Sequence, residues 1–234
     1  MFASVFAWTG ACAFIGSLAF FLYAYVVRFG LAVETGPVAR PVIINALLFT
    51  MFALHHSLFA RAGLKAWVRR RFSHELERSL YVWIASLLFM AVCWWWRPVP
   101  GVAYRLPDGW RWLGFAAQLA GLVLTFLGAK ALDVFDLAGV RGVMRTGSAP
   151  VSGPVTLVTT GVYGIVRHPL YLGWALLVFG APDQTATRMT FAIISTAYLA
   201  LAIPWEERGL IAVFGEDYRR YRAARRWRML PGIY

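Results

Sequence analysis

The sequence predicts an all-α fold: a polytopic integral membrane helical bundle of about six transmembrane helices, with cytoplasmic N- and C-termini. Three observations predict it. Of the 234 residues, 60% are apolar and only 15% are charged, against about a quarter charged in an ordinary soluble domain. The stretches 1–27, 41–60, 79–96, 112–129, 168–182 and 189–205 carry no formal charge at all. The 23 Lys and Arg residues gather between those stretches. A helix needs about 20 mostly apolar residues to cross the hydrocarbon; 189–205 sits at that limit and 168–182 is short. The balance excludes a disordered chain, a disulfide-stapled mini-protein and an ordinary soluble enzyme.

A formal charge of +12 could point to nucleic acid, but here the basic residues set topology. With a cytoplasmic N-terminus and six spans, 17 of them fall inside and 6 outside. Arg61, Lys65, Arg69, Arg70, Arg71 and Arg78 occupy the first inner loop, and seven arginines follow Glu207. No nucleic-acid partner is expected; the partner of this surface is the lipid bilayer.

Along the chain, the first apolar run is too long for the core of a cleavable signal and lacks a charged start, so it reads as a retained span. A short outer loop (28–40), a second span, the basic inner loop (61–78) and a third span follow. Trp94, Trp95 and Trp96 close that third span before Arg97, as an aromatic belt does at the headgroups. Pro98, Pro100, Gly101, Pro107 and Gly109 make an outer loop of turns, and the fourth span covers roughly 110–131. A glycine- and proline-rich inner segment (133–163) leads to a short hairpin of two spans with Asp183, Gln184 and Thr185 at its outer tip. Leu210, Ile211, Phe214, Tyr218 and Tyr221 then recur at helical spacing among arginines, the pattern of an amphipathic helix lying along headgroups. The whole reads as one domain over 1–234, with four spans in 1–132 and a loop, hairpin and amphipathic segment in 133–234. Cys12 and Cys93 lie in separate spans on opposite halves of the bilayer and read as buried free thiols.

Polar groups that topology does not explain gather at the cytoplasmic ends of the spans: His55, His56 and Ser57; Asp133 and Asp136; Arg167, His168 and Tyr171; Glu206 and Glu207. Intramembrane ionisable groups are functional suspects by default. Pro169 suits the first position of a helix and biases His168 toward an extended backbone. The amides of that helix start, together with Arg167, make a candidate site for a carboxylate or phosphate, and Gly161 and Gly164 would let backbone approach a ligand. Glu206 and Glu207 oppose the helix dipole; they serve either to pair with nearby arginines or to accept from ribose hydroxyls and attract a cation. His55 and His56 point apart on a helix, and no cluster completes a metal site.

Arg167-His168-Pro169-x-Tyr171-x-Gly173, followed by Glu206-Glu207-x-x-Leu210 and Phe214-Gly215-x-x-Tyr218-x-x-Tyr221, resembles the isoprenylcysteine carboxyl methyltransferase and phospholipid methyltransferase-like membrane enzymes. A longer resemblance, carried by Phe52-Ala53-Leu54-x-His56-Ser57, Ala60-Arg61, Glu77-Arg78-Ser79-x-Tyr81-Val82, Trp96-Arg97-Pro98 and Phe135-Asp136-Leu137 with Arg141, is to the bacterial methanethiol S-methyltransferases and their NnrU-like relatives. Val134, Gly142 and His55 depart from the methanethiol pattern.

The resemblance implies S-adenosyl-L-methionine as donor, held at the cytoplasmic end of the last two spans by Gly161, Tyr163, Arg167, His168, Tyr171, Gly173, Glu206 and Glu207. It implies a small thiol or lipophilic acceptor in a bacterial inner membrane, and the orientation read from the charges puts the site on the cytoplasmic face. A thiol reacts as its thiolate, so a base helps; His56 is the first candidate for it, with Asp136 to orient the ring. Methylation of a prenylcysteine carboxylate or a lipid amine stays open at this point. So do a non-catalytic membrane role and an NADPH-dependent reductase with a related helical core.

Overall fold

A computed structural model of the chain describes residues 2–59, 70, 74–144 and 156–234. Arg61, Lys65, Arg69 and Arg71 of the first inner loop, the Ala60-Arg61 pair, and Gly147, Pro150, Gly153 and Pro154 of the later one lie outside the described residues.

The long helices are α1 (Phe2–Tyr23), α2 (Ala39–Phe59), α3 (His74–Trp95) and α4 (Arg111–Ala131). Two four-residue helices follow, α5 (Val134–Leu137) and α6 (Arg141–Met144), and then α7 (Pro169–Phe179), α8 (Ala186–Phe214) and α9 (Glu216–Ala224). Among the described residues, four stretches are long and apolar enough to cross a membrane: Phe2–Arg28, Leu76–Trp95, Asp108–Ala131 and Ala186–Phe214. The apolar helices Ala39–His55 and Pro169–Phe179 are shorter. With helix over 74% of the described residues, the chain is an all-helical membrane protein. Outward-facing side chains are apolar, as on α4 with Phe115, Leu119 and Phe126, which suits hydrocarbon and not water.

The chain divides into two compact units. The first contains α1, α2, α3, α5 and α6. Gly10 leaves room for the Trp83 indole, whose Nε1 donates to the Phe6 carbonyl at 3.0 Å. Asn45, fully buried, clasps Arg97 by donating to its carbonyl and accepting from its amide, both at 2.8 Å. Arg28 donates to the Cys93 and Trp94 carbonyls at the end of α3, satisfying groups that lipid cannot. It stands at the end of a π-helical turn, Ala24–Arg28, that the sequence pattern does not announce. Trp94 and Trp95 are exposed as an interfacial belt requires, whereas Trp96 is buried beside Phe29.

The second unit is built on the packing of α4 against α7. Gly114, Gly121 and Gly128 recur every two helical turns along α4. A Cβ on Gly121 would meet the Gly173 carbonyl at 2.5 Å and the Leu177 amide at 2.8 Å; one on Gly173 would meet Thr125 Oγ1 at 2.6 Å. Small residues at this spacing let two backbones approach in a bilayer, where association depends on close packing. The outer loop, expected to consist of turns, contains a strand, β1 (Val102–Arg105), paired with β2 (Asp183–Thr185). The amphipathic segment, expected as one helix from Leu210 to Tyr221, is two: α8 runs to Phe214, and Gly215, at φ +56°, turns the chain into α9.

Gly121→Leu should therefore cost about 1–3 kcal/mol and lower the unfolding temperature in detergent by several degrees. Gly16→Leu, with open space at its Cβ, should leave it unchanged. Equal thermal stability of the two variants would refute the glycine contact.

Candidate active site

The site begins where the chain enters α7. Pro169 takes the first helical position, and His168 before it is non-helical at φ −123°, ψ 68°, as the residue preceding a proline prefers. The helix start is better satisfied than its sequence suggests. Tyr171 and Leu172 both donate their amides to the His168 carbonyl, and the amides of Arg167 and His168 donate to the carbonyls of Trp227 and Arg228. The chain beyond α9 thus returns as a strap over the α7 entrance. Met229 anchors it among Val166, Leu172 and Ile203.

Arg167 is buried and braced on two of its nitrogens. Its Nε donates to Glu207 Oε1 at 2.7 Å, and Nη1 donates to the carbonyls of Arg225 at 2.5 Å and Arg226 at 2.9 Å. The guanidinium expected to meet a ligand anion braces α8 to the strap. Glu206 and Glu207, adjacent in sequence, face different surroundings because successive helical residues diverge by about 100°. The Glu207 side chain is 4% exposed and Glu206 47%. Glu206 accepts from the Tyr171 hydroxyl at 2.8 Å. The His168 ring stacks on Tyr171 at 5.3 Å, with Nδ1 3.4 Å from Glu206 and Nε2 3.5 Å from Glu207. That Nε2 is buried and makes no hydrogen bond.

Of the other residues expected here, Tyr163 is buried, its hydroxyl 3.4 Å from the Gly128 carbonyl and its own carbonyl accepting from Tyr221 Oη at 2.7 Å. Gly161, at φ +61°, has open space where a Cβ would project. Gly173 is placed in the α4–α7 packing, where its missing side chain serves helix approach. His56 lies on α2 and Asp136 on α5, but the side chains of both fall outside the described residues. His55 stacks on Tyr81 at 5.7 Å with Nε2 buried and without a hydrogen bond. Arg141 pairs with Asp133.

Sequence reasoning, which let the basic tail close over a ligand, missed how that tail is attached. Pro204 lies within α8 and cannot donate to the carbonyl four residues earlier. That carbonyl, of Ala200, accepts from the Tyr234 hydroxyl at 3.2 Å, and Tyr234 Oη accepts from Arg228 Nη1 at 2.9 Å. The Pro-x-Glu-Glu spacing held this signal: a proline one turn before two carboxylates leaves an acceptor that something must fill. Tyr218, also missed as a site residue, is 1% exposed and its hydroxyl lacks a hydrogen bond. Burial pushes the Tyr163 and Tyr218 hydroxyls up and Tyr221 up to about 12, so all three stay protonated.

Burial disfavours the charged His168 ring, but the Glu206 and Glu207 carboxylates beside its two nitrogens outweigh it and leave its pKa above the ordinary histidine value. The folded pKa being raised, this stabilisation is complete below about pH 6.5 and is lost as pH climbs through the folded pKa. The imidazole and the two carboxylates make a compact polar cluster able to hold a ligand with both cationic and hydroxyl groups.

Fold and site together define a class: an integral membrane protein with a buried polar cluster where its last hydrophobic helices meet a basic strap. Comparison with known proteins narrows it. The chain is 36% identical to Methanethiol S-methyltransferase 1 of Bradyrhizobium diazoefficiens over 91% of its own length and 78% of that protein. It is 35% identical to the Methanethiol S-methyltransferase of Mycobacterium tuberculosis over 80% of its length and 77% of that protein. Nurim of Xenopus laevis is 30% identical over 66% of this chain and 57% of that protein. No protein-family profile matches, and no solved structure does. The chain belongs to the methanethiol S-methyltransferase family, and it is a methyltransferase.

In a titration of imidazole signals by NMR, one of the four histidines should remain charged above about pH 6.5, and Glu206→Gln should lower its midpoint. A His168 midpoint at or below the ordinary value would contradict this geometry.

Proposed function

We propose that the chain methylates a small thiol, with methanethiol the first candidate, using S-adenosyl-L-methionine bound at the cytoplasmic face of a bacterial inner membrane that it crosses six times. The observation that carries the donor site is the buried, hydrogen-bond-deficient Nε2 of His168 beside the half-exposed Glu206. The residues fit the donor's chemistry. Glu206 and Tyr171 offer an acceptor and a hydroxyl for a ribose diol, the carboxylate pair favours a sulfonium cation, and Gly161 leaves backbone open to approach. When bound, S-adenosylmethionine supplies an electrophilic methyl group.

The chain's own share of the reaction is to position and to exclude water. Arg167 holds Glu207 and the strap, so that His168, Tyr171 and Glu206 present fixed polar atoms. Tyr163 and Gly173 hold α7 against α4, supporting the site from behind. A thiol of pKa about 8.5 is only slightly ionised at neutral pH, so a base helps. We assign that task to His56, which takes the thiol proton on its imidazole, with Asp136 orienting the ring. The apolar helices favour a small lipophilic acceptor. The concentration of basic residues in the strap supports a cytoplasmic site by the positive-inside rule.

Purified protein given methanethiol and S-adenosylmethionine should release dimethyl sulfide into the headspace, read by gas chromatography with mass detection. His168→Ala and Glu206→Gln should weaken donor binding tenfold or more. His56→Ala should keep donor affinity and lose about 100-fold in turnover. Wild-type donor affinity in both of the first two variants would overturn the donor site, and full turnover in the third would remove His56 from the chemistry.

A further inference from the structure

The strap borders an open cavity of about 380 Å³ lined by Arg167, Arg222, Arg226, Trp227, Arg228, Ile233 and Tyr234, within the size range of small-ligand sites. Four guanidinium groups line it, and the carboxylate that reaches any of them is Glu207, paired with Arg167 and 3.9 Å from Arg228 Nε. Arg222 and Arg226 have no ion pair among the described residues. Their neighbours on α9 differ: Arg219 pairs with Glu216 at 3.1 Å and Arg220 with Asp217 at 2.5 Å. Arg219 and Arg220 are thus neutralised within α9, whereas Arg222 and Arg226 at the cavity keep their charge without a paired carboxylate among the described residues. Two of the cavity's guanidinium groups are also held in place. Arg226 lies 5.1 Å over the Trp227 ring, and Arg228 lies 4.9 Å over Tyr234 while donating to its hydroxyl. Stacked guanidinium groups present their forked donors at little further entropic cost, the arrangement suited to phosphate oxygens. Ile233, 80% exposed beside the cavity, gives the rim an apolar edge.

We propose that this cavity is an oxyanion site for a phosphate group, distinct from the donor-binding cluster of His168, Tyr171 and Glu206. The phosphate comes from either an anionic lipid headgroup or a free phosphate compound, and the cations that receive it are Arg222, Arg226 and Arg228. The inference does not require the acceptor of the methyl group to be a thiol. Arg167 braces both sites, and Arg228 joins them, its carbonyl accepting from the His168 amide and its Nε lying 3.9 Å from Glu207.

The test uses the full-length protein in a neutral detergent, with bound ligand counted by native mass spectrometry. Short-chain phosphatidylglycerol, short-chain phosphatidylcholine and inorganic phosphate are titrated separately, and S-adenosylmethionine affinity is followed in parallel. Wild type should bind phosphatidylglycerol or inorganic phosphate with defined 1:1 stoichiometry; the tighter of the two identifies the source. The Arg222→Gln/Arg226→Gln double variant should lose that binding tenfold or more and keep donor affinity. The Arg219→Gln/Arg220→Gln variant, with the same change in net charge, should lose less than twofold. Equal losses in the two double variants would reduce the effect to surface charge and overturn the site. Loss of donor binding with the unfolding temperature unchanged would make the cavity part of the donor pocket and overturn it equally, as would tighter binding of phosphatidylcholine than of either anion.

Discussion

Glu207 keeps its charge in a place that penalises charge. With 4% of its side chain exposed, the carboxylate has given up water, and several kcal/mol of desolvation must be offset by its partners. Arg167 provides the offset, and in doing so fixes much else. The same guanidinium reaches two strap carbonyls, so the pair ties α8, the entrance to α7 and the chain after α9 to one point. His168 and Tyr171, one turn onward, inherit their placement from it. Glu206, turned outward by the helical offset from Glu207, is half exposed and accepts from Tyr171. Buried pairs of this kind contribute less to net stability than to uniqueness of arrangement, and uniqueness is what a methyl-transfer site needs.

The strap completes this arrangement through backbone chemistry. In hydrocarbon every carbonyl needs a donor, and Pro204 leaves that of Ala200 without its helical one. Tyr234 fills the gap and is itself held by Arg228. One helix irregularity thereby becomes an attachment point for the segment that covers the site. Arg167 and His168 add two backbone hydrogen bonds to the same segment. The strap is therefore a structural part of the site's wall, and its arginines are placed by that role before any ligand is considered.

Much of this was legible in the sequence. Charge-free stretches and the distribution of arginines identify a helical membrane protein, and Pro169 marks the start of α7 to the residue. The convergence of Arg167, His168, Tyr171, Glu206 and Glu207 followed from placing span ends on one side. What could not be read has definite causes. Gly173 looked like a ligand-facing glycine because the absence of a side chain serves close approach of a ligand and of a helix equally; only the facing Gly121 and Thr125 distinguish them. Arg167 looked free because a sequence does not say which anion a guanidinium meets. The break at Gly215 was hidden by apolar spacing that runs through it unchanged, and the β1–β2 pairing by a proline-rich context. The division of labour between Glu206 and Glu207 needed the helix phase relative to its neighbours.

A double-mutant cycle on Arg167→Met and Glu207→Met, followed by unfolding in mixed micelles, addresses the organising role of the buried pair. Each single variant leaves an uncompensated buried charge, so the doubly substituted protein should be more stable than either, with a coupling of at least about 1.5 kcal/mol. Additive losses within about 0.5 kcal/mol would show that the two groups act independently, and that the site is held together by something else.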